Sequence, residues 1–252
     1  MLKSINAIQA NWQAPANIRA FTTTRTGGVS VAPFDSLNLG DHVNDNPQAV
    51  AQNRALLVEQ FGLPQFPLFL NQTHSTKVLR LPLEPQNTAQ KIEADAVYSN
   101  QSKQVCLVMT ADCLPVLFCN AKGDEVAAAH AGWRGLCDGI LEQTVAQFAC
   151  PTNEIQAWLG PAIGNTAFQV GREVVEQFIA QDPQAAQAFR ADPNAPDKFL
   201  GDLYQIARQR LNKLGIRQIS GGQHCTYNES DKFFSYRRDK ITGRMASLIW
   251  FE

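Results

Sequence analysis

No run of apolar residues in this chain approaches the ~20 needed to cross a bilayer. The opening segment MLKSINAIQANW also lacks the apolar stretch of a secretory signal. These absences lead us to expect a cytoplasmic protein with no membrane partner. Neither sign of charge is in surplus: 22 Lys and Arg stand against 23 Asp and Glu, a formal net charge of -1. No global field therefore draws the chain to nucleic acid or to an anionic surface, and an anionic ligand has to be met by local placement of Arg or Lys. The cysteines at 106, 113, 119, 137, 150 and 225 form no C-x-x-C pair and no disulfide-framework spacing. In a reducing compartment they are expected to be free thiols, mostly packed as small hydrophobes. A cysteine that meets histidines is the exception, a metal or catalytic candidate.

What is present is ample core material. Hydrophobic residues make up 44% of 252 and charged residues 18%, the profile of a globular chain with a substantial interior. Length alone allows one large domain or two small ones. With no linker and no internal repeat, the expectation is one domain over 1–252.

Along the chain, 18–24 (IRAFTTT) reads as a strand that ends at Arg25 and the turn Thr26-Gly27-Gly28. Asn46-Pro47 opens a helix whose face is Val50, Leu57, Val58 and Phe61, closed by Gly62 and Pro64. The stretch 67–81 reads as two strands broken at 71–76, so that His74 sits on a connection. Residues 82–92 read as a surface excursion and 94–100 as a short strand. Three strands follow at 105–109, 114–119 and 125–130, the first apolar enough to be buried on both faces. The third is rich in alanine, which lets another layer approach closely. The chain then turns at 131–135 into a helix carrying Leu136, Ile140, Leu141, Thr144 and Phe148. A strand at 155–159 and a helix at 172–179 precede a polar stretch, 180–198, that reads as a mobile surface insertion. A helix over 201–214, strands at 217–220, 233–237 and 245–251, and a strand end at 225–227 complete the pattern. Strands and helices interleave, yet some strands follow one another directly, so the fold class is α/β with mixed β-sheets.

The chemistry gathers in a few places. His74, Cys113 and His130 would together form a Cys-His-His set, and a catalytic zinc site takes three such ligands and keeps a fourth position open. The competing reading is two satisfied histidines and a buried thiol. Asp112, next to Cys113, is a candidate proton carrier or a partner to a ligand, or else a residue that merely bonds its own corner. The turn at 132–135 offers Gly132 for close backbone approach and Arg134 for a two-point grip on phosphate, or it is a plain strand-to-helix turn. Gln72 beside His74, Arg25 and Arg238 complete the substrate and phosphate candidates. Tyr98, Trp133, Phe233, Phe234 and Tyr236 are available for base stacking, although most aromatics are core. His42 and His224 stay open.

The stretches NQTHSTKV, ADAVYSN, TADCLPVLF, AAAHAGWRGL, GPAIG, DLYQIARQRL and FFSYRRD–TGRMASLIW together resemble the YfiH family. That family is also called the laccase-domain or multicopper polyphenol oxidase family, and one branch is the peptidoglycan editing factor. The resemblance runs from about Arg25 to the C-terminus. It implies a four-layer α/β/β/α arrangement of mixed sheets, shared with a bacterial toxin cysteine-hydrolase fold. It also implies a zinc site at His74, Cys113 and His130. The activities implied are phosphorolysis of adenosine, inosine and S-methyl-5'-thioadenosine, deamination of adenosine, and an older assignment as a phenol oxidase. Expected partners are then purine nucleosides and inorganic phosphate, handled by a monomer. Two alternatives remain: a cysteine hydrolase or editing factor acting on peptidoglycan precursors through Cys113, and a non-enzymatic partner in cell-wall precursor control. Cu(II) can occupy the same Cys-His-His set. With four histidines in all, at most two remain for a further copper cluster, which argues against a true multicopper oxidase. The HxE and PCxxC signature of nucleic-acid zinc deaminases is absent.

Overall fold

The computed structural model describes residues 4–83 and 92–252; most of the predicted excursion at 82–92 lies outside the described residues. The strands are β1 (Ala7–Gln9), β2 (Ile18–Thr23), β3 (Val78–Leu81), β4 (Ala96–Ser99), β5 (Cys106–Thr110), β6 (Leu114–Asn120), β7 (Val126–Ala131), β8 (Ile155–Leu159), β9 (Gln169–Gly171), β10 (Phe189–Ala191), β11 (Lys198–Gly201), β12 (Gln218–Gly221) and β13 (Met245–Phe251). The helices are α1 (Pro47–Phe61), α2 (Trp133–Asp138), α3 (Ile140–Val145), α4 (Arg172–Gln181), α5 (Leu203–Lys213) and α6 (Tyr236–Asp239).

Two main sheets result: a four-stranded sheet in the order β1-β2-β13-β5 and a six-stranded sheet in the order β12-β8-β6-β7-β4-β3. In the second, β3 with β4 and β8 with β12 run parallel, while β4, β7, β6 and β8 pair antiparallel, so the sheet is mixed.

The period of two in each strand builds the layers. Cys106 and Val108 of β5 and Ile249 of β13 face one way, and meet Leu117 and Cys119 of β6 and Val126 and Ala128 of β7 between the sheets. The alternate residues Leu107, Met109, Leu248 and Trp250 face the other way and pack on Leu56 and Leu57 of α1. On the outer face of the six-stranded sheet, Val116, Phe118, Ala127 and Ala129 meet α2, α3, α4 and α5. α1 thus packs on the four-stranded sheet and α2 to α5 on the six-stranded sheet, with a shared apolar cluster between the sheets. The alanines of β7 take the place of bulk, which lets α3 lie close on the sheet.

Local signals work as the residues dictate. Asn46 caps α1 by accepting from Gln48 N and Ala49 N, and Gly62 closes it in the left-handed conformation. Asp202 caps α5 in the same way.

Four sequence expectations are corrected. The helix expected after the 131–135 turn is two short helices, because Gly139 at φ 105 breaks it. Residues 67–70 form no strand; only an isolated bridge, Asn71 to Glu93, follows them. The polar stretch 180–198, expected as a mobile surface insertion, contains regular structure. It carries a 3-10 turn at Pro183–Ala188, then β10, which pairs with β11, and β11 pairs with β9 to make a small third sheet. Phe233–Arg237 is not a strand. Phe233 and Phe234 are buried with Met245, and Ser235 caps the turn of α6 by accepting from Arg238 N. No described helix is long and apolar enough to cross a membrane.

Candidate metal centre

β6 and β7 pair in a register that puts Pro115 opposite His130 and Leu114 opposite Ala131. Cys113 is the residue just before β6, so it comes level with Gly132 just after β7. His130 shares strand parity with Val126 and Ala128, and its ring therefore points into the end of the layer between the sheets. On the neighbouring strand Asp95 has the parity of Val97, which faces the same way, and His130 N bonds Asp95 O at 2.7 Å. Two adjacent strands thus aim an imidazole and a carboxylate into one corner.

Asp95 organises that corner. Its side chain is fully buried and accepts from Thr73 N, His74 N, Ser75 N, the Ser75 hydroxyl and His130 Nδ1, the last at 2.8 Å. One carboxylate therefore folds the 73–75 loop and fixes one nitrogen of His130, which leaves Nε2 to face Cys113. Gln72 ties the loop from its other side, donating to Met109 O and accepting from Met109 N, both at 2.7 Å. His74 itself sits at φ 62 and Asp112 at φ 89. Left-handed backbone at two non-glycine residues costs on the order of 1–3 kcal/mol each, and it persists where surrounding bonds overdetermine it.

The result is a triangle. The ligand atoms of His74, Cys113 and His130 lie within 4.8 Å of one another, and Cys113 Sγ is 3.6 Å from His74 Nε2. Tetrahedral zinc with its usual bond lengths separates a sulfur from a nitrogen by about 3.6 Å, so the donor types and the Cys113–His74 spacing fit a divalent ion. Gly132 contributes space: a Cβ there would lie 2.4 Å from His74 Cδ2 and 3.0 Å from Cys113 Sγ. Any larger residue would push the imidazole out of the triangle.

Electrostatics set Cys113 apart from the other thiols. Burial alone raises a thiol, and it pushes Cys119 up to about 12 and Cys150, with help from Glu125, to about 11. At Cys113 burial pulls the same way, but the imidazoles of His130 and His74 outweigh it and bring the thiol down to about 6. His130 moves oppositely: burial lowers it, but the Cys113 thiolate and Asp95 outweigh that and raise it to about 9. Asp95 is raised by burial and lowered more by His130 and Ser75, ending at about 2. Without metal, then, the corner holds a thiolate–imidazolium pair backed by a carboxylate.

The triangle lines a cavity of about 540 Å³. Gln72, Asp112 and His42 share its wall with the three ligands. Asp112 reaches inward but both oxygens are engaged, Oδ1 by the Thr226 hydroxyl at 2.7 Å and Oδ2 by Arg237 N at 2.6 Å. It bonds across the fold to α6, not to its own corner. Trp133, Phe168 and Tyr236 supply aromatic surface, and Met109, Ile163 and Leu203 aliphatic surface. Of the stacking candidates, Tyr98, Phe233 and Phe234 are core residues; the Tyr98 hydroxyl is bonded to Glu125 at 2.5 Å.

Three arginines singled out by sequence are not among the cavity-lining residues. Arg134 is exposed, its guanidinium 5.2 Å from the Trp133 ring centre; one step along a helix turns a side chain about 100°, so Trp133 takes the cavity side and Arg134 does not. Arg25 donates to Asp35 O and Ser230 O and pairs with the Asp35 carboxylate. Arg238 spends its guanidinium on Thr226 O, Tyr227 O, Phe233 O and Asp239. Both act as splints for the 226–239 region. His224 pairs with Glu229 and lines a separate hollow.

The sequence reading missed Asp95, Arg237 and Arg244, the last two lining the cavity. The signal for Asp95 was a lone acid opening a buried strand, which has to be paired. For Arg244 it was an arginine against the buried strand MASLIWF.

A mixed sheet and an antiparallel sheet packed face to face, with a His-Cys-His triangle at one end of their interface, define a metal-competent α/β protein. Comparison with known proteins places it more closely. Residues 19–252 match the family model described as multi-copper polyphenol oxidoreductase laccase. A Haemophilus influenzae protein named purine nucleoside phosphorylase is 64% identical over 98% of this chain and 100% of its own length. The Escherichia coli protein named purine nucleoside phosphorylase YfiH is 56% identical, over 96% and 98%. Among solved structures, Neisseria meningitidis protein NMB0706 superposes with a TM-score of 0.91 at 49% identity, covering 99% of this chain and all of that one. YlmD from Geobacillus stearothermophilus gives 0.84 at 31%, over 94% and 93%. The chain belongs to this laccase-like YfiH family.

Proposed function

We propose that the protein is a zinc-dependent purine nucleoside phosphorylase acting on adenosine, inosine and S-methyl-5'-thioadenosine, with adenosine deamination at the same centre. The observation that carries this is the placement of the His74–Cys113–His130 triangle in the wall of a cavity with aromatic and cationic surface, in a chain whose relatives are named purine nucleoside phosphorylases. Phosphorolysis forms a bond from a phosphate oxygen to the ribosyl C1′ as the C1′–N9 bond breaks. The base leaves with the electron pair and takes up a proton. A divalent ion held by the three ligands would supply Lewis-acid polarisation of an oxygen. The chain's own contribution is positional. Trp133, Phe168 and Tyr236 offer flat apolar surface to a purine, and Asp112 holds α6 at the cavity edge.

The test is release of hypoxanthine from inosine in phosphate buffer, before and after chelation, with wild type and Cys113→Ala. Turnover that needs phosphate, is lost on chelation and returns with zinc supports the reading; phosphate-independent or chelator-insensitive turnover sinks it. A second reading, Cys113 as the nucleophile of a hydrolase acting on peptidoglycan precursors, draws on the thiolate–imidazolium pair. Metal content separates the two, since an ion bound by Cys113 occupies the thiolate that a nucleophile needs. A multicopper centre finds less support: the triangle is the one metal-competent group among the described residues.

A further inference from the structure

Arg237 and Arg244 share a geometry that the other arginines around the cavity lack. Arg244 Nη1 donates to Thr242 O and Gly243 O, both at 3.0 Å. Arg237 Nη1 donates to Ala167 O at 3.2 Å and Gln169 O at 2.9 Å. Each guanidinium is thus pinned through one nitrogen to two backbone carbonyls. Among the described residues neither Nε nor Nη2 of either arginine has a hydrogen-bond partner, and both side chains line the cavity. The Nε–Nη2 edge is the one that grips an oxyanion at two points. In Arg25 and Arg238 the same edge is already spent on Asp35 and Asp239.

The backbone around both residues is built to hold them. Asp112 accepts Arg237 N, which fixes the start of α6. Asn38 Oδ1 accepts Arg244 N at 2.9 Å, and Arg244 Cγ lies only 2.8 Å from where a Cβ on Gly40 would be. Gly40 is required there because any side chain would displace the arginine stem. Burial disfavours the Arg244 charge, and Cys113, Asp112 and Tyr236 favour it. With a divalent ion offsetting the Cys113 thiolate, the two guanidiniums outweigh Asp112 and the cavity is net positive. Two half-buried guanidiniums that line one cavity, beside apolar aromatic surface, call for a small dianion.

We propose that Arg237 and Arg244 form the oxyanion subsite of the cavity and take inorganic phosphate. This rests on the phosphorolysis reading for its use, but not for its test. The shared chemistry, a phosphoryl dianion, can come free or carried on a nucleotide, and the experiment separates the sources.

Inorganic phosphate is titrated into the full-length protein by calorimetry, metal-free and zinc-loaded, for wild type, Arg244→Gln, Arg237→Gln, Arg244→Lys and the exposed control Arg134→Gln. Inosine 5'-monophosphate is titrated in parallel, and circular dichroism checks that each variant is folded. The expected result is phosphate binding that weakens at least about tenfold in each Gln variant, less in Arg244→Lys, and within about twofold of wild type in Arg134→Gln. In turnover the KM for phosphate rises more than the KM for inosine. Unchanged phosphate affinity in folded Arg244→Gln and Arg237→Gln overturns the subsite, as does wild-type protein that binds the nucleotide through these arginines and not free phosphate. Arginine-dependent phosphate binding without phosphorolysis leaves the subsite standing and overturns the function.

Discussion

Asp95→Asn keeps the shape of the side chain but removes the charge that accepts from His130 Nδ1 and from the 73–75 backbone. Partners of this kind typically contribute 10–100-fold to metal affinity. We expect Asp95→Asn to lose zinc to a competing chelator at about that much lower chelator concentration, while remaining folded at room temperature; an unchanged competition curve would remove Asp95 from the account. Gly132→Ala sets a methyl 2.4 Å from His74 Cδ2, so metal affinity should fall by more than tenfold while thermal stability falls modestly. At this scale the sequence was legible where chemistry-bearing residue types are rare. His74, Cys113 and His130 could be picked out because histidine and reactive cysteine are few. Arg134, Arg25 and Arg238 could not be told from Arg237 and Arg244, because what separates them is whether each side chain reaches the cavity and which backbone carbonyls and carboxylates consume its guanidinium. That is fixed by tertiary packing alone.

Between elements, Asn53 of α1 acts as a buried rivet. It accepts from Val29 N and donates to Ser30 Oγ, Ser36 O and Asn38 O. Asn38 in turn accepts from Arg244 N and Gly40 N. Asn53→Ala leaves these backbone groups short of partners in the interior and should destabilise the protein by about 2–3 kcal/mol, read as a lower urea midpoint with an unchanged slope. The helix around Asn53 was plain in the sequence, from its cap and closing glycine, but its polar anchor was not: an asparagine inside a helix reads as solvent-facing until the loop it holds is known. Strand expectations failed at 67–70 and 233–237 for a related reason. Apolar and aromatic runs there do bury their side chains, Phe69 and Leu70 in one pair of clusters and Phe233 and Phe234 in another, without finding a neighbouring strand to pair with. Burial and ladder pairing are separate demands, and the sequence reports the first. The polar composition of 180–198 hid β10 and the start of β11, whose pairing with each other, and of β11 with β9, depends on backbone bonds more than on an apolar face.

For the molecule as a whole, the mixing of strand directions was readable from strands that follow one another without helices, though only the six-stranded sheet is mixed and the others are antiparallel; which face each strand residue takes follows from strand parity. The metal corner also gives the molecule a pH signature. Asp95 is held at about 2, below an ordinary aspartate, so its stabilisation is present above pH ~4 and is lost as pH falls toward 2. For the metal-free pair the two slopes oppose. Cys113, lowered to about 6, adds stability as pH rises from there toward ~8.5; His130, raised to about 9, loses it from ~6.5 to 9. Stability from this pair should therefore be nearly flat between pH 6 and 9, while alkylation of Cys113 by iodoacetamide in the metal-free protein rises through a midpoint near 6. A midpoint near 8.5, as for an ordinary thiol, would contradict the thiolate–imidazolium pair.

The central claim is that His74, Cys113 and His130 meet around a single divalent ion. Elemental analysis of the purified protein, beside Cys113→Ala, His74→Ala and His130→Ala prepared in parallel, tests it most directly. We predict close to one zinc per chain in the wild type and a near-complete loss in each variant; a wild type without metal, or variants that keep it, would contradict the account.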